Sequence, residues 1–400
     1  MKKYFVKIMY TLFLLSFLVS CNSKTEAVKT TEIENKEKVE SEQVESEQED
    51  RIETVKITAT GDIMYHPGTF NSNVNAETGK YDFRFFYNDM EKYIQAADLM
   101  IGNYETTSTP TRELSDYPMF NTPENSIEDL KNAGFDILTT ANNHCLDSRV
   151  QGIIDTIDAL DKYGVRHTGT WKEGEKDYLI EEVNGIKIGV LAYTERFNGM
   201  EVILADNEKE MVSPLNEEQI EKDIKELKSK DVDIILVFPH WGEEYMTMPT
   251  EKQKELGHKI LNWGADMVLG SHPHVVQPVE KVEVDGKDKY IVYSLGNSIS
   301  GQRKEFLGIE GVEGGLFVEM EFTKDFKNKT TEIKSINFVP TYVRDDRSSG
   351  KIQYKTQPIV EYLEGGSLRE TVSSGELNEI LKLRTNMINV LESMEYKLDS

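Results

Sequence analysis

Imidazole, carboxylate and carboxamide side chains recur in this sequence directly after short apolar runs. The chain contains only 7 histidines, and four of them follow runs that are typical of β-strands. Imidazoles in loops after strands favour metal binding or proton transfer over core packing. A fifth, His66, comes four residues after Asp62. The four are His144, His240, His272 and His274.

Five strand-like runs end in potential ligands, spread over about 210 positions of the chain. In an open α/β sheet the ligand crevice lies outside the carboxyl ends of the strands, so we expect these side chains to meet at one edge. The five groups are Asp62; Asn103 with Glu105; Asn143 with His144; His240; and His272 with His274.

The mixture of oxygen and imidazole donors indicates the kind of ion. It suits Mn, Fe or Zn better than Ca or an iron–sulfur cluster, and no thiolate contributes. Two ions about 3.5–4 Å apart would need a bridging carboxylate and would activate a water between them. Glu105 or Asp62 could bridge. Spacing alone leaves three arrangements open: two ions, one ion, or a metal-free polar pocket.

The apolar runs alternate with helical patterns. Thr122 and Pro123 predict a helix start with Thr122 as N-cap, and Gly134 predicts its end. Asn184-Gly185 and Asp285-Gly286 are typical of hairpin turns. Alternation of this kind predicts an α/β fold with largely parallel, helix-flanked strands and added hairpins.

The N-terminus predicts a targeting segment. Lys2, Lys3 and Lys7 precede the mostly apolar stretch 8–20, which is short for a membrane span and typical of a signal peptide. Its end, Leu18-Val19-Ser20-Cys21, resembles the lipobox of bacterial lipoproteins, in which the cysteine carries lipid. The alternative is an ordinary secreted protein with an incidental Cys21. On the first reading, residues 1–21 are a lipoprotein signal peptide and the protein is extracytoplasmic, anchored to the bacterial cell membrane.

Charge and composition divide the remaining chain. Residues 22–50 hold ten acidic residues and four lysines without an aromatic residue, which predicts a disordered acidic linker. The whole chain carries a net charge of -25, which repels nucleic acid. We expect the main domain at residues 51–345. We expect residues 346–400 to form an extension whose last helix, 377–396, packs on that domain through the apolar stripe Leu381, Ile388, Leu391 and Met394.

Six blocks of sequence resemble the CapA/PgsA family of poly-gamma-glutamate capsule synthesis, within the calcineurin-like metallophosphoesterase superfamily. The resemblance spans about residues 55–300 and implies a four-layer α/β/β/α sandwich with mixed sheets and a site at its loop edge. The blocks are Gly61-Asp62-Ile63-Met64, Asn103-Tyr104-Glu105-Thr106, Ala141-Asn142-Asn143-His144-Cys145-Leu146-Asp147, His240-Trp241-Gly242-Glu243-Glu244-Tyr245, Gly270-Ser271-His272-Pro273-His274-Val275 and Ser294-Leu295-Gly296-Asn297.

The resemblance also implies roles for individual residues. His144 matches a histidine that contacts the phosphoryl oxygen or leaving group as a general acid, and Asp147 would orient it. The alternative for His144 is a loop residue that is merely hydrogen-bonded to Asp147. The residues that match metal ligands, for two divalent transition-metal ions, are Asp62, Glu105, Asn143, His240, His272 and His274.

Two departures from the superfamily pattern affect the expected metal site. The usual Asp-x-His is absent, because Asp62 is followed by Ile63-Met64 and the next histidine is His66. Glu105 stands where an aspartate usually bridges, which adds a methylene. One metal position is therefore expected to be weakened or empty, and catalysis is less well supported than the fold.

Three functions remain open from the sequence. The first is a surface-anchored metal-dependent hydrolase acting on a phosphoester or an anionic envelope polymer. The second is a non-catalytic component of polyglutamate synthesis and export, working with membrane-bound ligase and transport subunits. The third, a solute-binding lipoprotein, would explain an anchor on Cys21 but not the placement of the histidines.

Overall fold

The computed structural model describes residues 51–398 except 73, 75–78, 348–349 and 351. The predicted signal peptide, Cys21 and the acidic linker lie outside these residues. Residues Ile52–Ser400 form one compact unit. Among the helices of the described chain, none has the length and apolar character needed to cross a membrane.

The first sheet combines a parallel half with an antiparallel half. Its strand order is β14-β13-β12-β1-β2-β3-β4, and β11 pairs with the end of β1. Strands β1 to β4 run parallel, whereas β12, β13 and β14 are antiparallel to their neighbours. The strands are β1 (Ile52–Ile63), β2 (Leu99–Tyr104), β3 (Ile137–Thr139), β4 (Arg166–Thr168), β11 (Asn297–Ile299), β12 (Gly314–Asp325), β13 (Thr330–Asp346) and β14 (Gln353–Pro358).

The second sheet has a parallel centre with a hairpin at each edge, in the order β5-β6-β7-β8-β10-β9. Both predicted hairpin turns join antiparallel strands, at Asn184-Gly185 and Asp285-Gly286. The strands are β5 (Leu179–Val183), β6 (Ile186–Thr194), β7 (Ile234–His240), β8 (Met267–Leu269), β9 (Val279–Val284) and β10 (Lys287–Val292).

Helices cover the outer face of each sheet. The α-helices are α1 (Pro67–Ser72), α2 (Glu91–Ile94), α3 (Asn125–Ala133), α4 (Arg149–Tyr163), α5 (Glu217–Ser229), α6 (Glu251–Trp263), α7 (Lys304–Leu307) and α8 (Ser374–Leu391). Short 3₁₀ helices span Arg84–Met90, Met200–Ile203, Lys209–Met211, Ile359–Tyr362 and Arg369–Thr371.

The hydrophobic core shows why four layers form. Along β7, Leu236 and Phe238 enter the cluster between the two sheets, whereas Ile235 and Val237 enter the cluster beneath α5 and α6. Successive strand residues point to opposite faces, so a strand that is apolar throughout buries both faces. A third cluster fills the space between the first sheet and its helices. The predicted four-layer α/β/β/α arrangement with mixed sheets is confirmed.

Two local predictions differ from the structure. Helix α3 ends at Gly134 as predicted, with φ of 111°, but Thr122 does not cap its start. The Thr122 hydroxyl lies 2.8 Å from the Thr106 hydroxyl, so a tertiary contact replaces the cap. Helix α8 packs on the core through Ile380, Met387 and Leu391. Leu391 belongs to the predicted stripe, whereas Ile380 and Met387 enter the core in place of Leu381 and Ile388.

Candidate metal centre

The first sheet places a row of polar side chains at its carboxyl edge. Asp62, at the end of β1, is in register with Asn103 of β2 on one side and Asn297 of β11 on the other. The Asn103 amide donates to Asp62 Oδ1 at 2.8 Å, and Asp62 is fully buried. The strand register therefore fixes this carboxylate before any ion binds.

The second sheet supplies the histidines. His240 ends β7 and forms an isolated bridge with Ser271, which begins the loop carrying His272 and His274. His272 and His274 have φ of 97° and 57°, a left-handed conformation that is costly for side chains other than glycine. Strain of this kind persists where the surrounding structure fixes it, and it is concentrated in functional sites.

Glu105 lies where the two sets of side chains meet. Its Oε1 is 3.5 Å from His240 Nε2 and 3.7 Å from His274 Nε2. Both carboxylate oxygens are buried and have no hydrogen-bond partner. His272 Nε2 is likewise buried without a partner. Burial, followed by the charge of Asp62, raises the pKa of Glu105 well above its usual range. A buried carboxylate without a donor is costly unless a cation pairs with it.

Two groups of side chains have the spacing of metal ligands, and they share Glu105. One group is Glu105, His240 and His272; the other is Asp62, Glu105 and His274. Within each group the candidate ligand atoms lie within 4.8 Å of one another. Ligand atoms on one ion with bonds of about 2.1 Å lie about 3.0–3.4 Å apart. Glu105 Oε1 approaches this spacing at 3.5 Å from His240 Nε2 and 3.7 Å from His274 Nε2, so the residues suit a divalent metal after small side-chain adjustments.

The rings of His240 and His272 are neutral, as metal ligands must be. Burial, followed by the charge of His272, lowers the pKa of His240 well below its usual range. Burial and then the charge of His274 lower the pKa of His272 to about 2. A neutral imidazole keeps one nitrogen lone pair free for a cation.

Hydrogen bonds to the second ring nitrogen orient two of these histidines. His274 Nδ1 lies 3.0 Å from Asp62 Oδ2 and 3.2 Å from Asn297 Oδ1, both acceptors, so Nδ1 carries the proton. His240 Nδ1 lies 3.0 Å from the Ser271 hydroxyl. The Nε2 atoms of both rings consequently face Glu105. Acceptor oxygens such as those beside His274 fix the tautomer of a ligating histidine, whereas the Ser271 hydroxyl, which can donate or accept, orients the His240 ring without fixing its proton.

The Asn143 loop closes the other side of the site. Asn143 Oδ1 lies 2.8 Å from His240 Nε2, so all six predicted ligands are brought together. His144 Nδ1 lies 2.7 Å from Asp147 Oδ2, as the resemblance implied. The same Asp147 oxygen accepts the backbone N–H of Phe120. His144 and Asp147 are both buried beside the centre, yet neither belongs to the two ligand groups.

Ser271 and Asn297 are site residues that the sequence analysis did not select. Asn297 belongs to a Gly-Asn pair after an apolar run, which is the same signal that selected the other ligands, and Ser271 directly precedes His272. Their role becomes visible only through contacts with the rings of His274 and His240.

Comparison with known proteins identifies relatives of this chain. The family model "Bacterial capsule synthesis protein PGA_cap" matches residues 56–302. The capsule biosynthesis protein CapA of Bacillus anthracis is 28% identical over 260 residues, covering 62% of this chain and 61% of the relative. The PGA biosynthesis protein CapA of Bacillus subtilis is 31% identical over 256 residues, covering 62% and 64%. The chain thus spans about three fifths of the length of these relatives.

Solved structures resemble the fold more distantly. A phosphatase from Mycoplasma pneumoniae has a TM-score of 0.47 at 16% identity, covering 75% of this chain and 98% of that one. The calcineurin-like phosphoesterase YfkN of Bacillus subtilis has a TM-score of 0.41 at 14% identity, covering 86% and 100%. Scores this low assign neither activity nor substrate. The match over more than half of the sequence is decisive, and the chain belongs to the family of bacterial capsule synthesis proteins.

Proposed function

We propose that this protein is a metal-dependent hydrolase of capsule poly-gamma-glutamate synthesis and export. The observation that carries the proposal is the buried Glu105 carboxylate, which lacks any hydrogen-bond donor and lies between two groups of ligands. Glu105 belongs to both groups, so its carboxylate would contact both ions if two were bound. Mn, Fe and Zn suit this donor set.

The chain's residues divide between two ions. Glu105, His240 and His272 would hold one ion, with Asn143 Oδ1 beside His240 as a fourth donor. Asp62, Glu105 and His274 would hold the other. When bound, such a pair of ions polarises an ester and activates a water molecule.

His144 and Asp147 supply the proton-transfer group. An ionised carboxylate accepts hydrogen bonds and cannot donate them. Asp147 therefore fixes the ring proton of His144 on Nδ1. His144 Nε2 is then free to exchange a proton with the leaving group. This arrangement supports the role of general acid that the family resemblance implies.

The names of the relatives support a place in capsule synthesis. Both are described as biosynthesis proteins of a capsule or of PGA. A lipid on Cys21 would hold the protein at the outer face of the cell membrane, near ligase and export subunits. Its net charge of -25 repels a polyanion, so contact with polyglutamate requires bound cations.

Metal analysis of the purified chain tests the proposal. We expect close to two transition-metal ions per chain, and loss of most of that metal in Glu105→Gln and His240→Ala. His258→Ala is the matched control, because His258 pairs with Glu280 on the outside of α6. Assays on a generic phosphodiester and on polyglutamate follow. A folded, metal-free wild-type chain would contradict the proposal.

A non-catalytic role is the second candidate. The relatives are named for biosynthesis rather than for hydrolysis, which favours an accessory part in the export complex. A chain that holds its metal but turns over neither substrate, and that co-purifies with the ligase or transport subunits, would support this candidate.

A further inference from the structure

His66 lies beside the metal centre but belongs to neither ligand group. Its Nδ1 accepts a hydrogen bond from the backbone N–H of Gly301 at 3.1 Å. A backbone amide only donates, so Nδ1 carries no proton. Burial, followed by the charge of His274, lowers the pKa of His66 to about 3 and keeps the ring neutral. The single ring proton is therefore on Nε2.

The position of the His66 ring is fixed on two sides. The ring packs edge-on against Phe120 with centroids 5.3 Å apart, and Phe120 packs in the same way against His144 at 4.7 Å. A Cβ on Gly301 would lie 2.8 Å from His66 Cβ, so only glycine allows this approach. The Gly301 N–H makes the one well-formed hydrogen bond of the ring among the described residues, and the Met64 backbone has the smallest effect on the His66 pKa, which it raises.

The segment that holds His66 also reaches the metal centre. Asn297, which contacts His274, donates to Gln302 at 3.0 Å, one residue after Gly301. His66 is thus held at a set distance from the ligands by the same loop that orients one of them.

Arg303 is a buried cation in the same segment as Gly301 and Gln302, and it indicates the charge of a molecule that would bind beside His66. Arg303 is 4% exposed, and its Nε and Nη2 have no hydrogen-bond partner. Its Nη1 donates to the carbonyl oxygens of Ser300 and Gln302, and in the described chain no carboxylate pairs with it. A buried charge without a counter-ion is costly, and a nearby anion offsets that cost. An anionic ligand would supply the missing charge.

We propose that His66 binds an oxyanion of the substrate, phosphoryl or carboxylate, through its Nε2–H, in the positive field of Arg303. This role rests on the proposed function for the chemistry at the centre, but oxyanion binding can be measured independently. His66 is a substrate-binding residue in this assignment and does not ligate metal.

Two amide substitutions distinguish the roles of the two ring nitrogens of His66. In His66→Asn the side-chain oxygen can still accept from Gly301, but the distal donor is lost. In His66→Gln the amide nitrogen reaches the former Nε2 position and restores the donor. Inorganic phosphate and glutarate are titrated calorimetrically into the metal-loaded full chain, and bound metal is measured for each variant.

We expect phosphate or glutarate affinity to fall about tenfold or more in His66→Asn, because a hydrogen bond to a charged oxygen is lost. His66→Gln should bind within about threefold of wild type, with the metal content of both variants unchanged. The control is Lys304→Gln, which removes a charge from the same loop at a half-exposed side chain paired with Glu310. The preferred anion identifies the substrate as a phosphoester or a carboxylate polymer.

The other outcomes are equally decisive. A wild-type chain that binds neither anion overturns the assignment, as does full affinity or loss of metal in His66→Asn. A metal-free chain that shows the His66 dependence supports this assignment and contradicts the metal proposal. If His66→Asn does not fold, ¹⁵N spectra of the wild-type histidine rings show which nitrogen of His66 carries the proton. A proton on Nε2 supports the assignment, and a proton on Nδ1 overturns it.

Discussion

Asn143 Oδ1 lies 2.8 Å from His240 Nε2, although the two residues are 97 positions apart in the chain. Asn143 follows β3 of the first sheet, and His240 ends β7 of the second. Their contact joins the two sheets at the loop edge of the sandwich. An ion held between them would consequently link the two layers.

Removing the Asn143 carboxamide should weaken one ion selectively. We expect Asn143→Ala to lower the affinity for one of two ions by about 10–100-fold, because His240 and His272 remain as ligands. Competition with a chromogenic chelator measures the loss. Asn198→Gly is the control, since Asn198 contacts the Asn143 amide and has φ of 52°, which glycine adopts freely. Equal losses in both variants would contradict a ligand role for Asn143.

Glu105→Gln should change the pH dependence of stability in the metal-free protein. Folding raises the pKa of Glu105, so the folded state binds the extra proton. The free energy of unfolding therefore falls as pH rises above the ordinary value of 4.5 toward the raised one. Glutamine removes this slope, and metal-free Glu105→Gln should be at least as stable as metal-free wild type at pH 8.

Urea unfolding at pH 5 and pH 8 in the presence of a chelator measures this effect. Saturating metal should reverse the order, since only the wild-type carboxylate binds ions and bound ions stabilise the folded state. A metal-free variant that is clearly less stable than wild type at pH 8 would show that the Glu105 charge is compensated within the protein.

The clustering of the candidate ligands could be predicted because each of them follows a recognisable apolar run. Asp62 and His240 are examples: each lies at the carboxyl end of a strand where the strand is buried, and parallel strands bring these ends to one edge. The same reasoning gives the α/β class and both hairpins, since turn chemistry and period-two burial are local properties.

Contacts between distant segments could not be predicted in this way. Thr122 has the sequence of an N-cap but bonds to Thr106, and Ser271 acquires its role only when β7 and β8 lie side by side. The buried face of α8 depends on where the helix meets the core, and Met387 rather than Leu381 enters it. Strand β14 is short and polar at its start, so its pairing with β13 leaves little signal.

Cys145 should be chemically inert in the folded protein despite its place beside His144. Burial raises the pKa of its thiol to about 12, so the thiolate is a minute fraction at pH 8. In a Cys21→Ala background we expect no measurable alkylation by iodoacetamide over an hour, followed by complete modification in guanidinium chloride. Mass spectrometry measures both. Rapid native modification would mean that the loop opens readily and would remove the basis for treating Cys145 as structural.

Asp147→Asn should impair proton transfer while leaving metal binding intact. His144 Nδ1 and the Phe120 backbone N–H both bond to the same Asp147 oxygen, and an amide in its place lacks the negative charge that holds the ring proton on Nδ1 and stabilises the protonated ring. We expect turnover of a phosphodiester to fall about 10²–10⁴-fold in Asp147→Asn and in His144→Asn. The double variant should be little worse than either, because the pair acts as a unit. Exposed Asp161→Asn is the control. Unchanged turnover in Asp147→Asn at full metal content would indicate that His144 is a loop residue hydrogen-bonded to Asp147 and takes no part in proton transfer.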